Sequence, residues 1–225
     1  MPATAPVQIT TRTGSVRVEA AATNTELSVT GGTTEAHDDG TVHVHRLPSE
    51  NTIIVRCAPG TDVTVGTVSG KIELSGPLGS VRVASVSGKI RVDEAARVDA
   101  RSKSGKIEIG TCAGECRIMT KSATVSVGRA DRATVAAVSG LVALAQVGGA
   151  EIKTISGKVF VGSTGAERLA VHTVSGKVEI RVLGPTLPSA QLKSVSGRVR
   201  NDVEPGDDFE IAVSSMSGTI RVSGA

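Results

Sequence analysis

The chain has 225 residues, a formal net charge of +3, two Phe, no Tyr and no Trp. This net charge is too small to indicate nucleic acid or an anionic membrane surface as the partner. Hydrophobic residues make up 39% of the chain, so the core must be built from Val, Ile, Leu and Ala, and 26 glycines indicate many tight turns. β-Branched residues combined with glycine favour an all-β protein.

Residues 1–60 contain short alternating runs such as "GSVRVEA", "TVHVHR" and "NTIIVRCA", separated by the polar turns "HDDG" and "LPSEN". This pattern predicts an N-terminal β-rich cap segment over 1–60, with antiparallel strands that cover the first repeat and protect an open sheet edge. The first twenty residues lack the pattern of a signal peptide and any apolar run that could span a bilayer, so we expect a cytoplasmic location.

Residues 61–225 carry a repeat whose landmark is a Ser-Gly pair. Its glycines are Gly70, Gly88, Gly105, Gly140, Gly157, Gly176, Gly197 and Gly218, and Ala123 stands where a ninth would be. Apolar residues alternate with polar ones on both sides of each pair, which indicates two half-buried strands joined by a corner. Because neither strand can bury its apolar side alone, we predict a single-chain β-solenoid of about nine coils, each 17–21 residues long.

The position three residues before the glycine is nearly always Ser or Thr, as at Ser85 and Thr173. We expect these hydroxyl groups to point inward and to bond between coils, with Val86 packed beside Ser85. The length of the repeat varies mainly in one connection, and 181–189 and 202–210 are the longest examples. These two segments are the first candidates for a binding loop.

The run "TGSVRVEA", the middle stretch "NTIIVRCAPGTDVTVGTVSGKIEL" and the repeated "VSGKI" and "VSGKV" units resemble a bacterial group of adhesin-like β-strand-repeat proteins, also called toast-rack domains. The resemblance covers most of the chain, and Lys103, Lys121 and Ala123 depart from its pattern. It implies a β-solenoid with structural, adhesive or envelope-stress associations and no established enzymatic chemistry, so no catalytic residue is implied.

Basic residues follow most of the corner glycines and are expected to stack into a ladder. The ladder consists of Lys71, Lys89, Lys106, Lys158, Lys177 and Arg198. A phosphate-binding loop would need a following helix, whereas each copy here precedes a strand. With Glu73, Glu108 and Glu179 two residues further on, we interpret the ladder as a solvated face of mixed charge. The alternative is a module that binds a polyanion or a polysaccharide.

His43 and His45 lie on the same side of a predicted strand and could form half of a metal site, with Asp38 or Asp39 nearby. No third ligand is evident, so we favour a surface pair and predict neither metal nor cofactor. The spacing of Cys112 and Cys116 fits no zinc or redox motif. Cys116 is predicted to be a core residue, and Cys112 a more exposed thiol in a loop.

The only acidic cluster is "EPGDD" followed by Glu210, and it lies in a predicted loop. Catalysis on a polysaccharide would require two carboxylates that converge from defined positions, so an enzyme is the less favoured interpretation.

The apolar residues Leu141, Ala143 and Phe160 replace charged ones at outward positions, and stacking would bring them together. They predict an interface, with cover by a loop or by the N-terminal segment as the alternative. Ile220 and Val222 mark a second candidate, because no cap follows the ninth coil. The predicted function is a non-enzymatic scaffold or protein-interaction module that forms a dimer, assembles end to end or binds another protein. We expect neither nucleic acid nor membrane insertion.

Overall fold

The computed structural model describes residues 5–24 and 26–224; residues 1–4, at the start of the predicted cap, lie outside the described residues. The prediction of an all-β chain is confirmed, since the described residues form strands and no helix. Contacts divide the chain into two units, Met1–Ala113 and Gly114–Ala225. The boundary between residues 60 and 61 stays a prediction.

The strands are β1 (Val7–Thr11), β2 (Ser15–Ala20), β3 (Ser28–Thr30), β4 (Gly32–Ala36), β5 (Val42–Arg46), β6 (Thr52–Cys57), β7 (Val63–Ser163), β8 (Leu169–Val182), β9 (Pro188–Asp202) and β10 (Phe209–Gly224). β7 contains several repeats, because the backbone keeps strand geometry through the Ser-Gly corners. Buried and more exposed residues alternate along much of β7, as the period-two pattern predicts.

In the first unit, most strands of the N-terminal segment pair in parallel. β1 pairs with β5 and with Val63–Thr67 of β7. β2 pairs with β6 and with residues 72–75 of β7. Only β3 and β4 are antiparallel, to β6 and β5 respectively. The expectation of an antiparallel segment is therefore wrong for most of its strands. The turn "HDDG" does close a hairpin, but "LPSEN" joins two strands that do not pair with each other.

In the second unit, the spatial order of the strands differs from their order in the chain. β8 pairs with 150–163 of β7 on one side and with β10 on the other, and β9 pairs with β10. All three ladders are parallel and align Gly157, Gly176, Gly218 and Gly197. The last strand of the chain thus lies between β8 and β9.

The core consists of small and branched apolar residues on the inward side of each repeat. Val159, Val178 and Ile220 form one such column in the second unit, each at most 1% exposed. A further buried position falls in the connection seven residues after the corner. It is occupied by Ala95 and Cys112 in the first unit and by Ala130 and Val147 in the second.

Glycine at the corner is required by both backbone conformation and space. Gly176 has a φ of +142°, and a Cβ there would collide with the carbonyl oxygen of Gly157. No non-glycine residue in the described ranges has a positive φ, so Ala123 occupies its corner with an ordinary backbone conformation. The corner therefore accommodates alanine at position 123 with a backbone φ that is not positive, unlike that of Gly176.

Candidate functional site

A row of exposed apolar side chains lies two residues before the corner glycines. In the second unit it consists of Val138, Ile155, Val174, Met216 and Val195, and we call it the corner ridge. Their exposed fractions are 45%, 52%, 44%, 60% and 84% in that order. Equivalent residues of the first unit, Val68 and Val86, are also exposed. The expectation that Val86 packs against the corner is therefore wrong.

The corner itself forces these side chains outward. Thr154 and Thr173, the residues before Ile155 and Val174, are buried. Their hydroxyl groups donate to the carbonyl oxygens of Ser156 and Ser175, at 3.1 and 3.2 Å. These bonds stay within one repeat, whereas we expected bonds between coils of a solenoid. Because neighbouring side chains in a strand point to opposite sides, an inward hydroxyl places the next residue in solvent.

The parallel register makes the ridge continuous. Thr173 lies opposite both Thr154 and Ser215, so Val174 has Ile155 on one side and Met216 on the other. Ser215 is likewise opposite Ser194, which places Val195 beside Met216. At about 4.8 Å per strand, the four steps from Val138 to Val195 give a ridge roughly 19 Å long.

The predicted patch around Phe160 is only partly assembled. Leu141, Ala143 and Phe160 are all half-buried. The corner register puts Phe160 beside Ala143, while Leu141 lies beside Lys158 and two residues further along the face. Phe160 lines an open groove of about 560 Å³. Leu183, in the connection after β8, lines the same groove. A loop therefore covers part of this patch, which was the alternative to an interface. The patch stays a predicted interface.

Ile220 and Val222 do not form an open end. Both are fully buried, because β10 lies between β8 and β9. Val222 is aligned with Asn201 of β9, and this polar residue is exposed. An asparagine at an inward position would be costly in the core, which explains why β9 takes the outermost place. The prediction of an end at Ile220 and Val222 is corrected to one at β9.

The basic ladder is largely neutralised by ion pairs. Lys71 binds Glu73 at 2.5 Å, Lys177 binds Glu179 at 2.5 Å, and Lys89 binds Glu108 at 2.7 Å. Lys106 also binds Glu108. These two lysines lower the pKa of Glu108 to about 2. The predicted compensation by glutamate is confirmed, and the ladder is a face of mixed charge.

The histidine cluster includes one ring that sequence reasoning did not single out. The rings of His43 and His45 lie 6.5 Å apart, and the ring of His37 lies 4.0 Å from that of His43. A hydrogen bond from the Thr41 backbone N–H lowers the pKa of Asp39, and the neighbouring histidines add a smaller effect. Within 5–24 and 26–224, no group of three or more His, Cys, Asp or Glu side chains could hold a metal ion.

The cysteines and the acidic cluster have structural surroundings. Cys116 is buried as predicted, but Cys112 is buried too, and its Sγ lies 3.9 Å from the carbonyl oxygen of Ala96. The expectation of an exposed Cys112 is wrong. In the acidic cluster, Asp208 accepts the backbone N–H of Leu187, and Glu210 binds Arg168 at 3.3 Å. These carboxylates fasten the connections around β9 and β10.

The described part of the chain holds no helix with the length and apolar character of a membrane span. No curated protein matches the sequence.

Several solved structures are similar to this chain. A putative adhesin from Parabacteroides distasonis ATCC 8503 shares 11% identity and a TM-score of 0.52, with 95% of this chain and 91% of that chain covered. A putative adhesin from Bacteroides fragilis NCTC 9343 shares 11% identity and a TM-score of 0.45, with 97% and 91% covered. At this identity, the first similarity supports the fold alone.

The sequence profile of one family extends over nearly the whole chain. The family described as Toastrack DUF4097 matches residues 5–224, which include both units and every strand. This chain is therefore a member of the Toastrack DUF4097 family.

Proposed function

We propose that this protein is a non-enzymatic β-solenoid module that binds a protein partner along the corner ridge. In this proposal, residues 61–225 form about nine stacked coils, and residues 1–60 form a β-rich cap segment. The parallel, in-register ladders between successive repeats support the solenoid. The similar structure from Parabacteroides distasonis is that of a putative adhesin, which is consistent with a role in binding.

The observation that carries the proposal is the ridge of exposed branched and methionine side chains. Contiguous apolar surface costs free energy in water, and on a soluble protein it usually marks a binding surface. The ridge is a projecting row of side chains, so it fits an extended apolar groove on another protein better than a small molecule. Lys158 and Lys177 follow three residues after Ile155 and Val174, and they add a polar border to this surface.

The ridge can be tested with side chains that keep strand propensity but lose apolar surface. The double variant Ile155→Thr/Val174→Thr should lose most of its partner, because the contact area at the centre of the ridge becomes polar. Leu187→Thr is the matched control, since Leu187 is 40% exposed and lies outside the ridge. The measurement is partner capture from the native cell, followed by titration of the purified partner.

A photo-crosslinking side chain at position 155 should then link the partner directly, and the same group at position 187 should not. Equal capture by the double variant and the wild type would contradict the proposal. So would crosslinks at position 187 only.

The alternative of a polyanion-binding module is weakened by the ion pairs on the basic ladder. It predicts that heparin binds and that affinity falls steeply with salt, and also when Lys71, Lys89 and Lys106 are changed to Glu. We expect heparin affinity to be weak and to change little in that triple variant. The cytoplasmic location also stays a proposal, and cell fractionation with an antibody to the chain would test it.

A further inference from the structure

The outer edge of β9 is a second surface, separate from the corner ridge. β9 pairs with β10 over its whole length, and none of the described strands pairs with its other side. In the first unit, by contrast, the outer sides of β5 and β6 are covered by β4 and β3. An unpaired strand edge offers a row of backbone donors and acceptors to another strand.

The inward side of β9 is only partly covered, and least so after the corner. In β10, the inward residues Ile211, Val213 and Ile220 are at most 2% exposed. Their partners in β9 are Ala190, Leu192 and Val199, and Val199 is 42% exposed. The positions that are buried in β10 are therefore more exposed to solvent in β9. A strand added at the edge of β9 would bury their apolar side chains.

One polar group at this edge points to the chemistry of the occupant. The hydroxyl oxygen of Ser194 is buried and, like that of the aligned Ser215 in β10, has no hydrogen-bond partner among the described residues; of the two, Ser194 lies on the strand with the unpaired edge. Asn201, on the other side of the corner, accepts a long bond of 3.4 Å from the backbone N–H of Val203 through Oδ1. Its NH2 group is therefore able to donate elsewhere. An orphaned buried hydroxyl is costly, so a donor brought to Ser194 would stabilise the edge.

We infer that the occupant is a second copy of this chain, with the two β9 strands antiparallel about a twofold axis between Gly197 and Arg198. In this register, the corner of one copy meets the corner of the other. Ser194 lies opposite Asn201 of the second copy, so the asparagine amide can donate to the orphaned hydroxyl. The inward side of each strand also stays inward, because the alternation shifts by one residue at the Ser-Gly corner.

The charges are compatible with this register and disfavour one of its two neighbours. Lys193 lies opposite Asp202 of the second copy, where it joins the ion pairs that Asp202 makes with Arg200 and Arg221 of its own chain at 2.7 and 3.4 Å, and the twofold axis repeats this contact. A slip by two residues in one direction would set Lys193 against Arg200, which is a repulsive pair. A slip by two residues in the other direction would bring Lys193 opposite Glu204, an attractive pair beyond the end of β9, but it would set Ser194 against Val203, whose side chain offers no donor. The interface is isologous, so it closes into a dimer and does not continue into a filament.

This inference specifies the self-association that the proposed function leaves open, and it does not require a partner on the corner ridge. The first test is the mass of the full-length chain, measured by sedimentation equilibrium at rising concentration. The mass should move from 22.8 kDa to twice that value and stop there. A monomer at all concentrations, or assemblies that keep growing, would overturn the inference.

A charge swap tests the register. Lys193→Asp should weaken dimerisation at least about tenfold, because it sets like charges opposite one another. Asp202→Lys should do the same, and because it also removes the partner of Arg200 and Arg221 within the chain, its unfolding midpoint is measured beside its dimerisation. The double variant Lys193→Asp/Asp202→Lys should restore the dimer, which a merely unfolded variant would not do. Failure of the double variant to recover, with its circular dichroism unchanged, would overturn the register.

A crosslink gives a second readout. Ser194→Cys/Asn201→Cys should form a covalent dimer on oxidation, since directly opposed residues in antiparallel strands have Cα atoms about 4.5–5.5 Å apart. Ser194→Cys alone should not. Leu141→Lys/Phe160→Glu should leave the dimer intact. Loss of the dimer in this last variant but not in the charge variants would assign self-association to the Phe160 patch and overturn the inference, while loss of ridge binding alone would affect only the proposed function.

Discussion

The hydroxyl groups at the corners decide which side chains reach solvent. Thr173 bonds to the carbonyl oxygen of Ser175 in its own coil, so the corner is closed locally. The residue between them, Val174, cannot turn inward without breaking that bond. At Thr154 and Thr173 this bond holds the corner in place, while the alternation of inward and outward side chains, repeated in every coil position of the ridge, exposes the apolar neighbour.

Acidic residues beside the lysines make stability depend on pH. The ammonium groups of Lys106 and Lys89 lower the pKa of Glu108 to about 2, from an ordinary value of 4.5. A carboxylate with a lowered pKa in the folded state stabilises the fold above its unfolded pKa. This contribution is lost as the pH falls from about 4.5 through about 2.

Glu108→Gln should therefore lower the free energy of unfolding at pH 7 by less than about 1 kcal/mol, because the two ion pairs face solvent. The difference from wild type should shrink below pH 4.5 and vanish only below about pH 2. Urea denaturation at a series of pH values measures it, with the exposed Glu94→Gln as control. A difference that is constant with pH would contradict the ion-pair explanation.

At the scale of the strand, alternation predicted the buried columns and the corners but not the order of the strands. Ile90 and Val178 are buried where period two places them. The ridge was not predicted, although the same period places Val174 outward next to the inward Thr173. Cys112 was assigned to a loop because the connections vary in length, although each contains one inward position. Pairing between strands is not encoded by alternation, and the parallel N-terminal strands were missed for that reason.

One residue in the sequence indicates that β9 lies outside β10. Asn201 occupies a place where other repeats have an apolar residue, and such a strand is stable only where that position reaches solvent. The exchange Val222→Asn should therefore lower the free energy of unfolding by about 2–4 kcal/mol, since Val222 is fully buried.

The reverse change in the neighbouring strand is the matched control. Asn201→Val should alter stability by no more than about 0.5 kcal/mol, because this position is exposed. Denaturant midpoints of both variants, measured at a protein concentration low enough to avoid dimers, provide the comparison. Equal losses in the two variants would contradict the assignment of β9 as the outermost strand.

In each unit, the strands at one end of the given sequence lie between two other strands of that unit. In the first unit, β1 lies between β5 and β7, and β2 lies between β6 and β7. In the second unit, β10 lies between β8 and β9. Terminal strands usually fray first, whereas these have a backbone ladder on each side.

Amide hydrogen exchange should reveal this arrangement. Amides of β10 should exchange more slowly than those of β9, although β10 is nearer the end of the chain, because opening β10 breaks two ladders. The same order should hold for β1 and β2 relative to β3 and β4. Mass spectrometry of peptides after timed deuteration measures the rates. Faster exchange in β10 than in β9 would contradict the observed strand order.

The interleaved position of β10 also has a consequence for protein synthesis. A ribosome completes residues 188–202 before residues 209–224, so the nascent chain has β9 available while the edge of β8 is still open. The two segments match the same register, and β9 can therefore occupy that edge first. A β9 strand paired with β8 in this way would have to be displaced by β10 to give the observed order, and the polar side chain of Asn201 at an inward position would weaken that early pairing.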